Sequence, residues 1–137
     1  MKNYQDVTTP IETIMNRIFI VRGQRVILDA TLAELYGVST KRLNEQVGRN
    51  QERFPGDFCF VLTWQEVTNL KSQSATSSLT WGGTRKRPRV FTEYGVLMAA
   101  NVLNSPQAVR VSLSVVRAFV KFCEMGGEIP ATGNETW

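Results

Sequence analysis

Apolar positions along the chain change period several times, and each change marks an element. The stretch "NRIFIVRGQRVILD" holds two short β-rich runs around Arg22-Gly23-Gln24. Glycine supplies the positive φ of a tight turn, so a hairpin is predicted at about residues 17 to 28. From Asp29 the spacing becomes that of a helix bearing Leu32, Leu35 and Tyr36, with Asp29 as its cap and Gly37 as its left-handed end. Ser39 is placed to cap a second helix running to about Gln51. "FPGDFCFVLT" reads as a turn followed by a buried strand. Thr63 and Glu66 then show the spacing of a capping box, in which hydroxyl and carboxylate satisfy each other's free backbone amides. The helix they open should carry Trp64, Val67 and Leu70 and fade near Gln73.

The pattern breaks at "SATSSLTWGGTRKRPR", rich in Ser, Thr, Gly and cations, which reads as an exposed loop or wing closed by a short strand at Arg89-Val90-Phe91. Thr92 should cap a helix to about Leu103, and Ser105-Pro106 should start another that Gly126-Gly127 stops. That last helix has two apolar faces. Val109, Leu113, Val116, Val120 and Cys123 follow a 4-3-4-3 spacing, Val111, Val115, Ala118 and Phe122 make the second face, and Arg110, Ser114, Arg117 and Lys121 form a polar stripe. Such a helix is either deeply buried or shared with a partner, and homodimerisation through residues 106 to 125 is one expectation. Together these elements predict an α+β fold: an N-terminal β-hairpin, a helix-turn-helix-like pair, short strands with a basic loop, and two C-terminal helices. A single domain is expected over residues 11–126, between a flexible N-terminus (1–10) and a flexible tail (127–137).

Composition narrows the chemistry. Its 137 residues suffice for one core without metal or disulfide support, and no run approaches the roughly 18 apolar residues of a membrane span. The first fifteen residues lack the features of a secretory signal, so a cytoplasmic location is expected. Cys59 and Cys123 lie in apolar runs and are both expected to be reduced core residues. The chain has no histidine, which removes Ser-His and Cys-His nucleophiles, His-ligated zinc and the commonest general base. "WGGTRKR" lacks phosphate-loop spacing, and Glu66 already has a capping role, which weakens any nuclease pairing with Asp57. No enzyme activity, cofactor or metal site is expected.

The net charge is +4, but residues 41 to 89 hold nine Lys or Arg against four acids, so the positive surplus is concentrated there. A surface of that kind points to a polyanion partner such as double-stranded DNA. Ala33, Gly37, Val38, Leu43 and Val47 occupy the inward positions of a helix-turn-helix, leaving Thr40, Lys41, Arg42, Asn44 and Arg49 toward the outside of the second helix. Arg and Lys can chelate guanine, Asn adenine, and Thr a thymine methyl or a phosphate. Glu45 on the same face opposes phosphate. Arg85, Lys86, Arg87 and Arg89 supply a second cationic element that can follow a phosphate backbone. The candidate DNA-binding residues are these nine. The alternative is an antirepressor module that binds a repressor or host protein and needs no DNA.

The blocks "IMNRIFIVRGQRVILDATLAELYGVSTKRLNEQVGRNQERFPGDFCFVLT", "SQSATSSLTWGG", "FTEYGVLMAANVLNSPQAV" and "VVRAFVKF" resemble the ORF6N domain, related to KilA-N and Bro-N. The resemblance spans about residues 11 to 122. It implies an α+β DNA-binding domain of phages, prophages and large DNA viruses, often joined to a variable C-terminal domain, in proteins described as antirepressors or regulators. The strongly basic stretch after Trp81-Gly82-Gly83 departs from a more mixed, aromatic family pattern. No second domain is expected within the residues after 127.

Overall fold

The computed structural model describes residues 10–73 and 86–125. Helix α1 (Ile11–Met15) leads into strands β1 (Ile18–Val21) and β2 (Gln24–Leu28), followed by α2 (Asp29–Tyr36) and α3 (Thr40–Arg49). A 3-10 turn (Gln51–Arg53), β3 (Cys59–Val61) and α4 (Trp64–Gln73) come next. Strand β4 (Arg89–Phe91) and helices α5 (Glu93–Leu103) and α6 (Pro106–Glu124) complete the described chain. This is the α+β organisation expected, with the hairpin first and the paired helices last.

The four strands form one antiparallel sheet in the order β1-β2-β4-β3. The hairpin turns on Arg22 (φ 56) and Gly23 (φ 74), with Val21 opposite Gln24. Two consecutive left-handed residues make the turn whose twist suits paired strands. Arg22 adopts that conformation without being glycine, and its guanidinium grips Glu66 through two bonds of 2.8 and 2.9 Å while lying 4.3 Å over the Phe60 ring. The pair ties the hairpin to the start of α4.

Alternation along the strands sorts side chains between two cores. Ile18, Ile27, Cys59 and Phe91 face the larger core, built with α1, α2, α3, α5 and α6. Val21, Val26, Leu28 and Val90 face the opposite side, where Leu62 and the Val67 and Leu70 of α4 cover them. The sheet is therefore the middle of three layers. Helix α5 meets β3 very closely: a Cβ on Gly95 would lie 1.9 Å from the Phe58 carbonyl oxygen.

The local signals resolve as follows. Ser39, Thr92 and Ser105 each accept a bond from the amide three residues on, and Gly37 is left-handed at φ 76. The capping box also forms, with Glu66 accepting from the Thr63 amide at 2.8 Å and Thr63 accepting from that of Glu66 at 3.1 Å. Asp29 is a correction: Leu28 is the N-cap of α2, and Asp29 is its buried first residue. Trp64 is half exposed (51%), because Val67 and Leu70 fill the small core beneath α4 and leave the first turn outside it. Helix α3 stops at Arg49, two residues short of the expected end, and the chain tightens into the 3-10 turn. Cys59 is buried as expected, but Cys123 is exposed, since the stripe of α6 to which it belongs faces away from the core. The strand at Arg89 is present, whereas most of the predicted basic loop (74–85) and the Gly126-Gly127 stop lie outside the described residues.

Candidate nucleic-acid interface

Helices α2 and α3 are joined by a turn that glycine makes feasible. At Gly37 the chain reverses with the Val38 amide donating to the Ala33 carbonyl at 3.0 Å and the Gly37 amide to that of Glu34 at 3.2 Å. Both bonds use carbonyls that the end of α2 would otherwise leave free. The Ser39 hydroxyl then accepts from the Arg42 amide at 3.0 Å, and Leu43 and Val47 anchor α3 against the main core. Tyr36 is buried nearby and its hydroxyl donates to the Val96 carbonyl at 2.8 Å; burial pushes that phenol well above its ordinary pKa. The helix pair is thus locked to α5.

Anchoring α3 by Leu43 and Val47 turns Lys41, Arg42, Glu45, Gly48 and Arg49 to solvent, while Thr40 is half buried. Among the described residues, no side-chain hydrogen bond or ion pair engages Lys41, Arg42 or Arg49. Lys86 and Arg87 are likewise exposed and unengaged ahead of β4.

Asn44 and Arg89 behave differently. Asn44 donates from Nδ2 to the Asp29 carboxylate at 2.9 Å and to the Thr40 carbonyl at 3.2 Å, and its Oδ1 accepts from Arg89 Nε at 2.9 Å. The same Asp29 carboxylate accepts from the Ala30 amide at 2.7 Å and the Arg89 amide at 3.3 Å. Arg89 Nη1 reaches the Cys59 sulfur at 3.8 Å. Burial pushes the Cys59 thiol up, with Arg89 opposing. Two of the nine expected contact residues are therefore committed inside the fold. The physical reason is a buried carboxylate: Asp29 is 7% exposed, and its charge demands donors. Arg85, a further member of the set, lies outside the described residues.

This node was only half legible. Strand alternation places Arg89 on the Phe91 side of β4, facing the main core, so Arg89 was separable from Lys86 and Arg87. Asp29 carries no such signal, because its partner Asn44 lies fifteen residues away on another helix.

The node also fixes how the two cationic elements lie. Arg89 is bonded to the first half of α3, and Arg87 precedes it by two residues, a span of at most about 7 Å. Lys86 and Arg87 therefore lie three and two residues before Arg89, which is itself bonded to α3. The sequence model of the ORF6N domain matches residues 16–102, more than half of the chain and the whole of this surface. The chain belongs to the ORF6N domain family. No curated protein and no solved structure matches it. ORF6N membership is consistent with a phage-type regulatory domain. The match spans the sheet and α2 to α5 and ends before α6, whose buried face completes the same core. Among the described residues, no helix is long and apolar enough to cross a membrane.

Proposed function

We propose that this ORF6N chain is the non-catalytic DNA-binding module of a phage or prophage regulator acting in the cytoplasm. Helix α3 enters the major groove with Thr40, Lys41, Arg42 and Arg49, and Lys86 and Arg87 lie on phosphates, with Arg85 extending that run. The observation that carries this reading is the Asn44–Arg89 bond, which ties the strand that follows Lys86 and Arg87 to the helix that exposes Lys41, Arg42 and Arg49. Asn44, Arg89 and Asp29 serve as the frame that positions α3. Exposed, unengaged cations are what counterion release requires.

The test is fluorescence anisotropy of a labelled 30-mer duplex across a salt series. With Lys41, Arg42 and Arg49 also neutralising phosphates at the groove edge beside Lys86 and Arg87, the five described cations predict log K falling against log salt with a slope of about −4 to −5. Neutralising Arg42, Lys86 and Arg87 should flatten that slope by about 2 to 3. A slope near zero for the intact protein refutes the reading.

One feature favours a second reading, an antirepressor that binds a repressor or host protein. Phe58 and Tyr94 stack at 5.4 Å in an open apolar groove with Leu97 and Met98, rimmed by Arg53 and Asn101. Tyr94 is 59% exposed. If Arg42→Glu with Arg87→Glu leaves regulation intact and Tyr94→Glu abolishes it, this second reading replaces the first.

A further inference from the structure

Helix α6 presents an apolar stripe that its own domain leaves uncovered. Ala108, Val111, Val115, Ala118 and Phe119 face the core and are buried. Val109, Leu113 and Val120 are 53%, 52% and 48% exposed, Val116 is half buried between them, and Cys123 continues the stripe in the open. Their 4-3-4-3 spacing keeps them in one line along a helix, about 21 Å from end to end. Scattered exposed leucines and valines need no explanation, but a continuous seam at coiled-coil spacing does.

We infer that α6 pairs with α6 of a second copy of this chain, antiparallel about Val116. The charges beside the seam select this occupant and this direction. Arg110, Arg117 and Glu124 recur at seven-residue intervals along one flank, and all three are exposed. In an antiparallel pair Arg110 of each copy lies beside Glu124 of the other, giving two opposite-charge contacts, with the Arg117 side chains free to splay into solvent from the centre. The apolar layers match in the same register: Val109 meets Cys123, Leu113 meets Val120, and Val116 meets Val116. A parallel pair offers neither Arg110 nor Glu124 an opposite charge, because the positions across from them, Ser105 and Phe119, carry none, and Phe119 is buried in each domain's own core.

The seam is short for a free coiled coil, where helix formation itself opposes association. Here α6 is already folded against its domain, so that ordering penalty is absent and a few layers suffice. The inference is independent of whether α3 binds DNA.

Sedimentation equilibrium of the intact chain tests it. The expected result is a concentration-dependent mass rising to twice 15.4 kDa. Leu113→Glu should return a monomer with an unchanged circular dichroism spectrum, the residue being half outside the core already. Arg110→Glu should raise the dimer dissociation constant by about tenfold, since it sets like charges together, and adding Glu124→Arg should restore it. A monomer at every concentration, or a dimer indifferent to Leu113→Glu, overturns the inference and leaves the stripe to another protein. Failure of the charge exchange to restore pairing, or ready disulfide formation between the two Cys123 side chains, overturns the antiparallel direction.

Discussion

Replacing Asn44 with alanine separates a positioning role from a base-reading one. The substitution removes a bond to a buried carboxylate at 2.9 Å and the acceptor for Arg89 Nε at 2.9 Å. Hydrogen bonds to charged groups are worth about 1.5–3 kcal/mol each, and Asp29 keeps its two backbone donors, so the loss falls toward the lower end of the sum, near 3 kcal/mol. Alanine recovers about 0.6 kcal/mol of helix propensity. The net destabilisation expected is about 2–3 kcal/mol. With a urea dependence of roughly 1.5–2 kcal/mol per molar, the unfolding midpoint should fall by about 1–2 M. Arg49→Ala, at the exposed end of the same helix, should change stability by less than about 0.5 kcal/mol. A double-mutant cycle of Asn44→Ala with Asp29→Ala should return a coupling of about 1 kcal/mol or more. If Asn44→Ala leaves the midpoint unmoved and weakens duplex binding instead, Asn44 is a free DNA-reading side chain and the role assigned to the node is refuted.

Two further outcomes follow from other contacts. Gly95→Ala should cost about 3 kcal/mol or more despite alanine's better helix propensity, because its Cβ would meet backbone oxygen at 1.9 Å and push α5 from β3; a melting temperature equal to wild type would contradict this. The Arg22 guanidinium holds the Glu66 carboxyl down to about 2, from an ordinary value of 4.5. A carboxyl depressed in the folded state stabilises above the ordinary value, and that contribution disappears as pH falls from about 4.5 toward 2. Glu66→Gln keeps the capping box but removes the charge; it should cost about 0.5–1 kcal/mol at neutral pH, and its stability should fall less steeply than wild type's through that acid window in denaturant titrations.

Elements set by local chemistry were readable from the sequence. Ser39, Gly37, Thr63 with Glu66, Thr92 and Ser105 act over three or four residues, and each stands where its pattern placed it. What the sequence did not expose depended on contacts distant along the chain. The two-sided sheet requires knowing that α4 covers one face. Cys123 was misplaced because an apolar residue next to a core pattern gives no indication of where the core ends. In the candidate interface, the cation cluster was visible as composition and the alternation of β4 turns Arg89 inward, but that Arg89 holds α3 in place emerges only from the Asp29–Asn44–Arg89 geometry.

The strand order has a consequence for how this chain comes to be made. Strand β4 occupies the middle of the sheet, between β2 and β3, yet it is the last of the four to be synthesised. Until it arrives, neither neighbour has its final pairing: β2 bonds only to β1, and β3 has no partner strand in the finished order. Pairings such as Leu28 with Val90 must close a loop of about sixty residues before the sheet exists. Folding of this domain should therefore be slow for its size, governed by the docking of three residues, two of them fully buried, into a slot between edges that stay open on the ribosome.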